Sequence, residues 1–243
     1  MRDWVCGFFM AWGMFLAIPC PRKIWSESAR QKMLVCMPLV GLLAGGVWAG
    51  AWLLLRGAPG PVRAAVCAAA PWLVTGFMHL DGYMDVCDAV LSRRDLATRQ
   101  RILKDSHCGA FAVICMVLLA MGQWSLFLAA EDVSWLGLLL IPAATRACAG
   151  LAVLGLRPMG TSQYAAMGPA RGGYGAALWV LLALSVGLPL WLDGSFGPLA
   201  AAAGYGLAVW YGFRNLDGMS GDISGFALTI GELCGCGAAI LWR

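Results

Sequence analysis

Charge is what this sequence has least of. Only 12% of its 243 residues are Asp, Glu, Lys or Arg, about half the share of a soluble domain. Hydrophobic residues make up 60%, so a soluble globular fold is excluded and an integral membrane protein is expected. Strict apolar–polar alternation is also lacking. The apolar stretches run on continuously, which excludes a β-barrel. The ten cysteines form no CxxC pair, and Cys234-Gly235-Cys236 has no second pair to complete a zinc site. They read as small buried apolar residues, not as a disulfide or metal framework. A formal net charge of +4 reports membrane orientation and gives no basis for nucleic-acid binding. No cleavable signal peptide is evident, because the first apolar run ends in Pro19-Cys20-Pro21 and not in a small-residue cleavage site.

What is present is a series of apolar segments, at 4–18, 33–55, 64–78, 109–130, 135–156, 174–192, 199–213 and 223–242. A span needs about 20 apolar residues. The expected fold is therefore all-α: a polytopic membrane helical bundle of about seven or eight spans, forming one domain over residues 1–243. The 4–18 run is short and either crosses the bilayer or lies at its surface. Gly41, Gly45, Gly46 and Gly50 would let the second segment approach a neighbour closely. The longest polar stretch, 88–108, carries Arg93, Arg94, Arg99, Arg101 and Lys104. Placing it in the cytoplasm puts the 21–32, 157–173 (with Arg157 and Arg171) and 214–224 loops there too, and the acidic turns at Glu131-Asp132 and Asp193 outside. The basic 56–63 turn is a mild violation. The glycine-bearing polar loops converge on the cytoplasmic face.

The organising stretch is His79-Leu80-Asp81-Gly82-Tyr83-Met84-Asp85-Val86-Cys87-Asp88. On a helix its three carboxylates share one face. Like charges this close repel, so a cation is expected among them, and Mg²⁺ is the simplest choice. Asp81, Asp85 and Asp88 are the candidate metal ligands, with Asp85 or Asp88 doubling as a base. Asp222 and Glu232 also fall in or against apolar segments, where ionisable groups are costly and usually functional. Lys104, Arg146, Arg157 and Arg214 are candidate phosphate clamps. His79 and His107, the two histidines, flank the same region. Phosphoryl transfer needs little more than charge neutralisation, positioning and a base for an attacking hydroxyl. Simpler readings stand beside these. The three aspartates also suit a helix start paired with Arg93 and Arg94, His79 a packing position, His107 a solvated loop, and the basic run a topology signal. Arg146 within a span needs an anionic partner. Leu80-Asp81-Gly82 is echoed by Leu216-Asp217-Gly218 at another segment boundary, with no longer period around it.

These motifs, taken together, resemble the cobalamin synthase (adenosylcobinamide-GDP ribazoletransferase) family over nearly the whole chain. The resemblance rests on Phe15-Leu16-Ala17-Ile18-Pro19-Cys20-Pro21, Trp25 and Pro38-Leu39-Val40-Gly41 near the start. It is most specific in His79-Leu80-Asp81-Gly82 with Asp85 and Asp88. It continues through Lys104-Asp105-Ser106-His107 with Gly109-Ala110-Phe111, and ends in Gly218-Met219-Ser220-Gly221-Asp222-Ile223-Ser224-Gly225 with Glu232. Asp217 and Ser220 depart from the family's usual Gly and Thr, and Ala89 stands where Gly is frequent; Ser220 keeps the hydroxyl. The resemblance implies a Mg²⁺-dependent transferase in the cytoplasmic membrane of a prokaryote. Adenosylcobinamide-GDP would be joined to α-ribazole or its 5′-phosphate, with release of GMP. It also implies companion enzymes that supply the activated substrate, with His79, His107, Arg146, Arg214, Ser220, Asp222 and Glu232 around the substrates. Two other functions fit the bare residues: a CDP-alcohol phosphotransferase, which would release CMP, and a cation transporter. Carboxylates clustered at a membrane boundary, not at mid-span, argue against transport.

Overall fold

The computed structural model describes residues 2–160, 162–164 and 172–242. Arg171, in the predicted 157–173 loop, lies outside them. Ten α-helices follow one another among the described residues: α1 (Arg2–Phe15), α2 (Arg30–Leu54), α3 (Gly60–Val74), α4 (Met78–Leu91), α5 (Leu96–Ile102), α6 (Ala110–Ala129), α7 (Trp135–Gly155), α8 (Tyr174–Asp193), α9 (Gly197–Leu216) and α10 (Gly221–Leu241). The protein is a polytopic helical membrane protein. All ten cysteines are free; Cys36, Cys67, Cys87 and Cys236 are buried as expected, whereas Cys108 and Cys234 are exposed.

Fewer helices qualify as spans than the apolar segments led one to expect. Among the described residues, five are long and apolar enough to cross a membrane, or six if α3 and α4 count as one broken span. The expected seven or eight is corrected for three reasons. Helix α1 has 14 residues and reaches only about 21 Å, short of the roughly 30 Å hydrocarbon core. Helix α9 has 20 residues, but glycines, two tyrosines, Arg214 and Asn215 dilute its apolar character. The predicted third span, 64–78, does not run into the acidic motif. It stops at Val74, and α4 leaves at 91° to α3. The bend is made by consecutive left-handed residues, Gly76 (φ 60°) and Phe77 (φ 64°). Glycine adopts that region freely, whereas Phe77 adopts it at a cost. The acidic motif therefore occupies a short helix of its own, lying across the direction of α3.

The bundle is built around α2, α7 and α10. About two-thirds or more of each apolar window is buried in these three, against 22% in α6 and 17% in α8, so the latter two present most of their surface to lipid. Helices α2 and α7 touch backbone to backbone. A Cβ on Gly45 would collide with the Leu139 carbonyl oxygen, and one on Gly41 would lie 2.5 Å from that of Pro142. The pair, four residues apart on one face, forms a small-residue seam that lets membrane helices approach closely. Helix α10 packs on α9 and α4 and carries three of the buried polar residues, Ser224, Thr229 and Glu232.

Candidate active site

Helices α4 and α10 meet through two glycines. A Cβ on Gly82 would stand 2.8 Å from the Asp222 carbonyl oxygen, and one on Gly225 3.0 Å from that of His79. A side chain at Gly82 would force the two backbones apart, and one at Gly225 would press tightly on its neighbour. This contact brings Asp81 on α4 and Asp222 at the start of α10 to one locus, within electrostatic reach of each other and of Asp85. Above it opens a cavity of about 470 Å³, lined by His79, Asp81, Lys104, Ser220 and Asp222 among the predicted site residues.

Each of these residues is delivered by local structure. Ser220 is the N-cap of α10: its Oγ accepts from the Ile223 amide and donates to Asp222 Oδ2 at 3.3 Å. The backbone amides of the first turn, with Gly221 on the cavity wall, form the kind of helix start that suits a phosphate. Lys104 follows α5, which is docked onto the end of α9 by Arg99 Nη1 to Asn215 Oδ1 (3.0 Å) and Gln100 Nε2 to the Leu216 carbonyl (2.8 Å). Asp95 caps α5 by accepting from the Thr98 amide.

The structure does not gather the remaining predicted residues at the cavity. Asp88, expected as a ligand or base, accepts from the Gly109 amide at 2.5 Å and the Ala112 amide at 3.0 Å. It thereby satisfies orphan donors at the start of α6. Gly109 is glycine for the same reason, since a Cβ there would lie 2.6 Å from both Asp88 oxygens. Its partners are not Arg93 and Arg94. His107 is exposed and bonded to Asp105 at 2.6 Å, which holds the Asp105 carboxyl below its ordinary range. Arg214 is exposed, over the Trp210 ring at 5.9 Å. Arg157 pairs with Asp217. Asp217 sits in the left-handed region at the end of α9, where the Asp81 echo has no structural counterpart. Arg146 has the anionic partner it required: Nη1 donates to Glu232 Oε1 at 2.7 Å in a buried pair between α7 and α10. These two residues, expected at phosphate and substrate, neutralise each other.

Residues that the sequence reading missed complete the cavity. Tyr164, Ser162 and Gln163 come from the loop after α7; Trp25, Arg30, Met33 and Met37 come from the approach to α2 and its first turns. Burial, together with nearby Asp222, pushes the Tyr164 hydroxyl up to about 12 against a hydrogen bond from Ser224, so it remains a proton donor at neutral pH. Nothing local in the sequence separated these side chains from ordinary core or loop residues.

Among the described residues, no three His, Cys, Asp or Glu side chains form a metal centre by themselves. Mg²⁺ commonly takes one or two carboxylates and completes its shell with water and substrate phosphate. Asp81 and Asp222 on the cavity wall, with Asp85 within electrostatic reach, fit that shared arrangement. Asp88 is occupied by α6.

A helical membrane protein with carboxylates, a lysine and a helix start around one cavity has the components of a membrane-embedded phosphoryl-transfer enzyme. The cobalamin-5-phosphate synthase family model matches residues 7–240, and the chain belongs to that family of transferases. It is 32% identical to an adenosylcobinamide-GDP ribazoletransferase of Clostridium botulinum, with the whole of both chains covered. It is 32% identical to one of Clostridium perfringens, over 93% of this chain and 94% of the relative. A Geobacillus thermodenitrificans enzyme of the same name is 30% identical, over 96% and 94%. No solved structure matches the chain.

Proposed function

We propose that this chain is a Mg²⁺-dependent adenosylcobinamide-GDP ribazoletransferase of cobalamin biosynthesis. It would sit in the cytoplasmic membrane of a prokaryote with its cavity open to the cytoplasm. The family match over residues 7–240 carries the reading. The orientation is supported by the basic stretch that ends in Lys104, on the cavity wall, since basic loops stay cytoplasmic.

In this reading a ribose hydroxyl of α-ribazole, or of its 5′-phosphate, attacks the phosphorus attached to cobinamide. A new phosphorus–oxygen bond forms, the bond to GMP breaks, and GMP leaves. Asp81, Asp85 and Asp222 would hold Mg²⁺, which when bound neutralises phosphate charge. Lys104 and the amides at the start of α10 bind and orient the phosphates. Tyr164 donates toward the same group. The hydroxyl proton passes to the Asp85 carboxylate, because both oxygens of Asp88 already accept backbone amides.

The test is detergent-purified protein given adenosylcobinamide-GDP, either acceptor and Mg²⁺, with GMP and the joined corrinoid followed together. Equal amounts of both products, lost with EDTA, are expected. Asp85→Asn should abolish turnover in folded protein, and Asp81→Asn or Asp222→Asn should raise the Mg²⁺ needed for half-maximal rate. Folded protein that joins neither acceptor overturns the reading. CMP release from a CDP-alcohol would replace it with the phosphotransferase alternative.

A further inference from the structure

Trp25 and Arg30 share a wall of the cavity, and the transfer chemistry above uses neither. The arginines expected at phosphate are engaged elsewhere: Arg146 with Glu232, Arg157 with Asp217, and Arg214 over Trp210. Among the described residues, Arg30 is the one arginine that lines the cavity. It begins α2 directly after a 3₁₀ turn, Glu27–Ala29, and its amide donates to the Glu27 carbonyl. Side chains three apart in a 3₁₀ turn eclipse, so Glu27 and Arg30 stand in register. Arg30 Nη1 donates to Glu27 Oε2 at 3.1 Å, and the Trp25 indole Nε1 donates to Glu27 Oε1 at 2.7 Å. One carboxylate thus holds both groups, with the guanidinium carbon 5.9 Å from the centre of the Trp25 ring. Ala29, fully buried, anchors the turn.

The fold leaves both groups available to a ligand. The Arg30 side chain is 20% exposed, and a guanidinium has five donors, of which the bond to Glu27 uses one. Trp25 is 52% exposed, so much of its ring stays uncovered beside the cavity. A planar cation recognises phosphate, and an open indole face stacks a planar base. A nucleotide presents both, one ribose apart. We infer that Trp25 and Arg30 form a nucleotide subsite of this cavity, the indole stacking on the base and the guanidinium binding the phosphate. Two ligands of the transferase share that chemistry: the GMP half of the donor and the 5′-phosphate form of the acceptor. Naming these two rests on the transferase reading above; the subsite itself does not.

The test is equilibrium dialysis of the detergent-purified chain with Mg²⁺ and radiolabelled GMP, guanosine, ribose 5-phosphate, α-ribazole or α-ribazole 5′-phosphate. If the subsite takes GMP, Arg30→Gln should weaken GMP about 10- to 100-fold, the effect of a charge-assisted hydrogen bond, and leave guanosine unchanged. Trp25→Ala should weaken GMP and guanosine alike by about tenfold and leave ribose 5-phosphate unchanged. Arg30→Lys, which keeps the charge, and Trp25→Phe, which keeps a ring, should each recover part of the loss. If the subsite takes the acceptor, the same pattern appears with α-ribazole 5′-phosphate and α-ribazole. Arg94→Gln, an exposed arginine away from the cavity wall, is the control and should change nothing. A folding defect would weaken every ligand together, so the selectivity between phosphorylated and unphosphorylated ligands is the decisive readout. Selectivity unchanged in Arg30→Gln, equal losses for all ligands, or binding of neither nucleotide by the wild type overturns the subsite. Normal wild-type turnover beside any of these results leaves the transferase standing. Absence of turnover with either acceptor in folded protein sinks the transferase, while the GMP and guanosine arms still decide the subsite.

Discussion

Replacing Gly82 by alanine tests whether the α4–α10 contact sets the geometry of the site. The added Cβ would lie 2.8 Å from the Asp222 carbonyl oxygen and 3.0 Å from Asp222 Cα, where ordinary contact begins at 3.4 Å. Both obstacles are backbone, so no side chain can swing aside. The helices must part by about 0.6 Å at the residue that faces Asp81. Overpacking of this kind costs roughly 1–3 kcal/mol of stability, which a bundle of this size absorbs. Catalysis is less tolerant, since a displacement near 1 Å can cost about 100-fold in rate. Gly82→Ala should therefore lower kcat roughly 10- to 100-fold while the protein still unfolds cooperatively in detergent, a few degrees lower. Gly50→Ala, inside α2 with nothing within 4 Å of its Cβ, is the control. It should keep full activity and gain up to about 1 kcal/mol of helix propensity. The assay is GMP release alongside thermal unfolding of the same preparations. Wild-type kcat in Gly82→Ala would refute the claim that this contact aligns Asp81 with Asp222.

Three further outcomes follow from contacts elsewhere. Glu232→Ala strands the Arg146 charge in a buried position and should cost about 3–5 kcal/mol in thermal unfolding, much of it recovered when Arg146→Met is combined with Glu232→Met. Asp88→Ala removes the acceptor for two amides and should cost about 1–2 kcal/mol, read as faster hydrogen exchange in the first turn of α6. The Thr98 amide and hydroxyl hold the Asp95 carboxyl below its ordinary range. A depressed carboxyl stabilises the fold above the unfolded-chain value and loses that contribution as pH falls through the folded one. Exchange of the α5 amides should therefore quicken on acidification below about pH 4, and Asp95→Asn should flatten that dependence.

Local chemistry was legible in the residues, and long-range pairing was not. Hydropathy marks apolar helices because each residue contributes to its own segment's transfer free energy, so helices appear within nearly every predicted apolar run. The four- and three-residue spacing of Asp81, Asp85 and Asp88 correctly placed them on one helix, for the same local reason. The 91° break at Gly76-Phe77 escaped notice because a left-handed phenylalanine has no signature in the sequence. Once on α4, the three carboxylates take different roles. Asp81 faces the cavity, while Asp88 caps a helix whose N-cap residue lies 21 positions later, and no helical periodicity tells a cap from a ligand.

The sequence by itself determined that this is a helical membrane protein with three carboxylates on one helix, and that Arg146 must have an anionic partner. Desolvation makes an unpaired charge too costly there. Only the tertiary structure decided that the partner is Glu232, 86 residues away. It also decided that α10 closes on α4 through Gly82 and Gly225, and that Lys104 and Tyr164 reach the same cavity while Arg214 and His107 do not. Those choices depend on which backbones approach within van der Waals distance, a property of packed helices that no single segment contains.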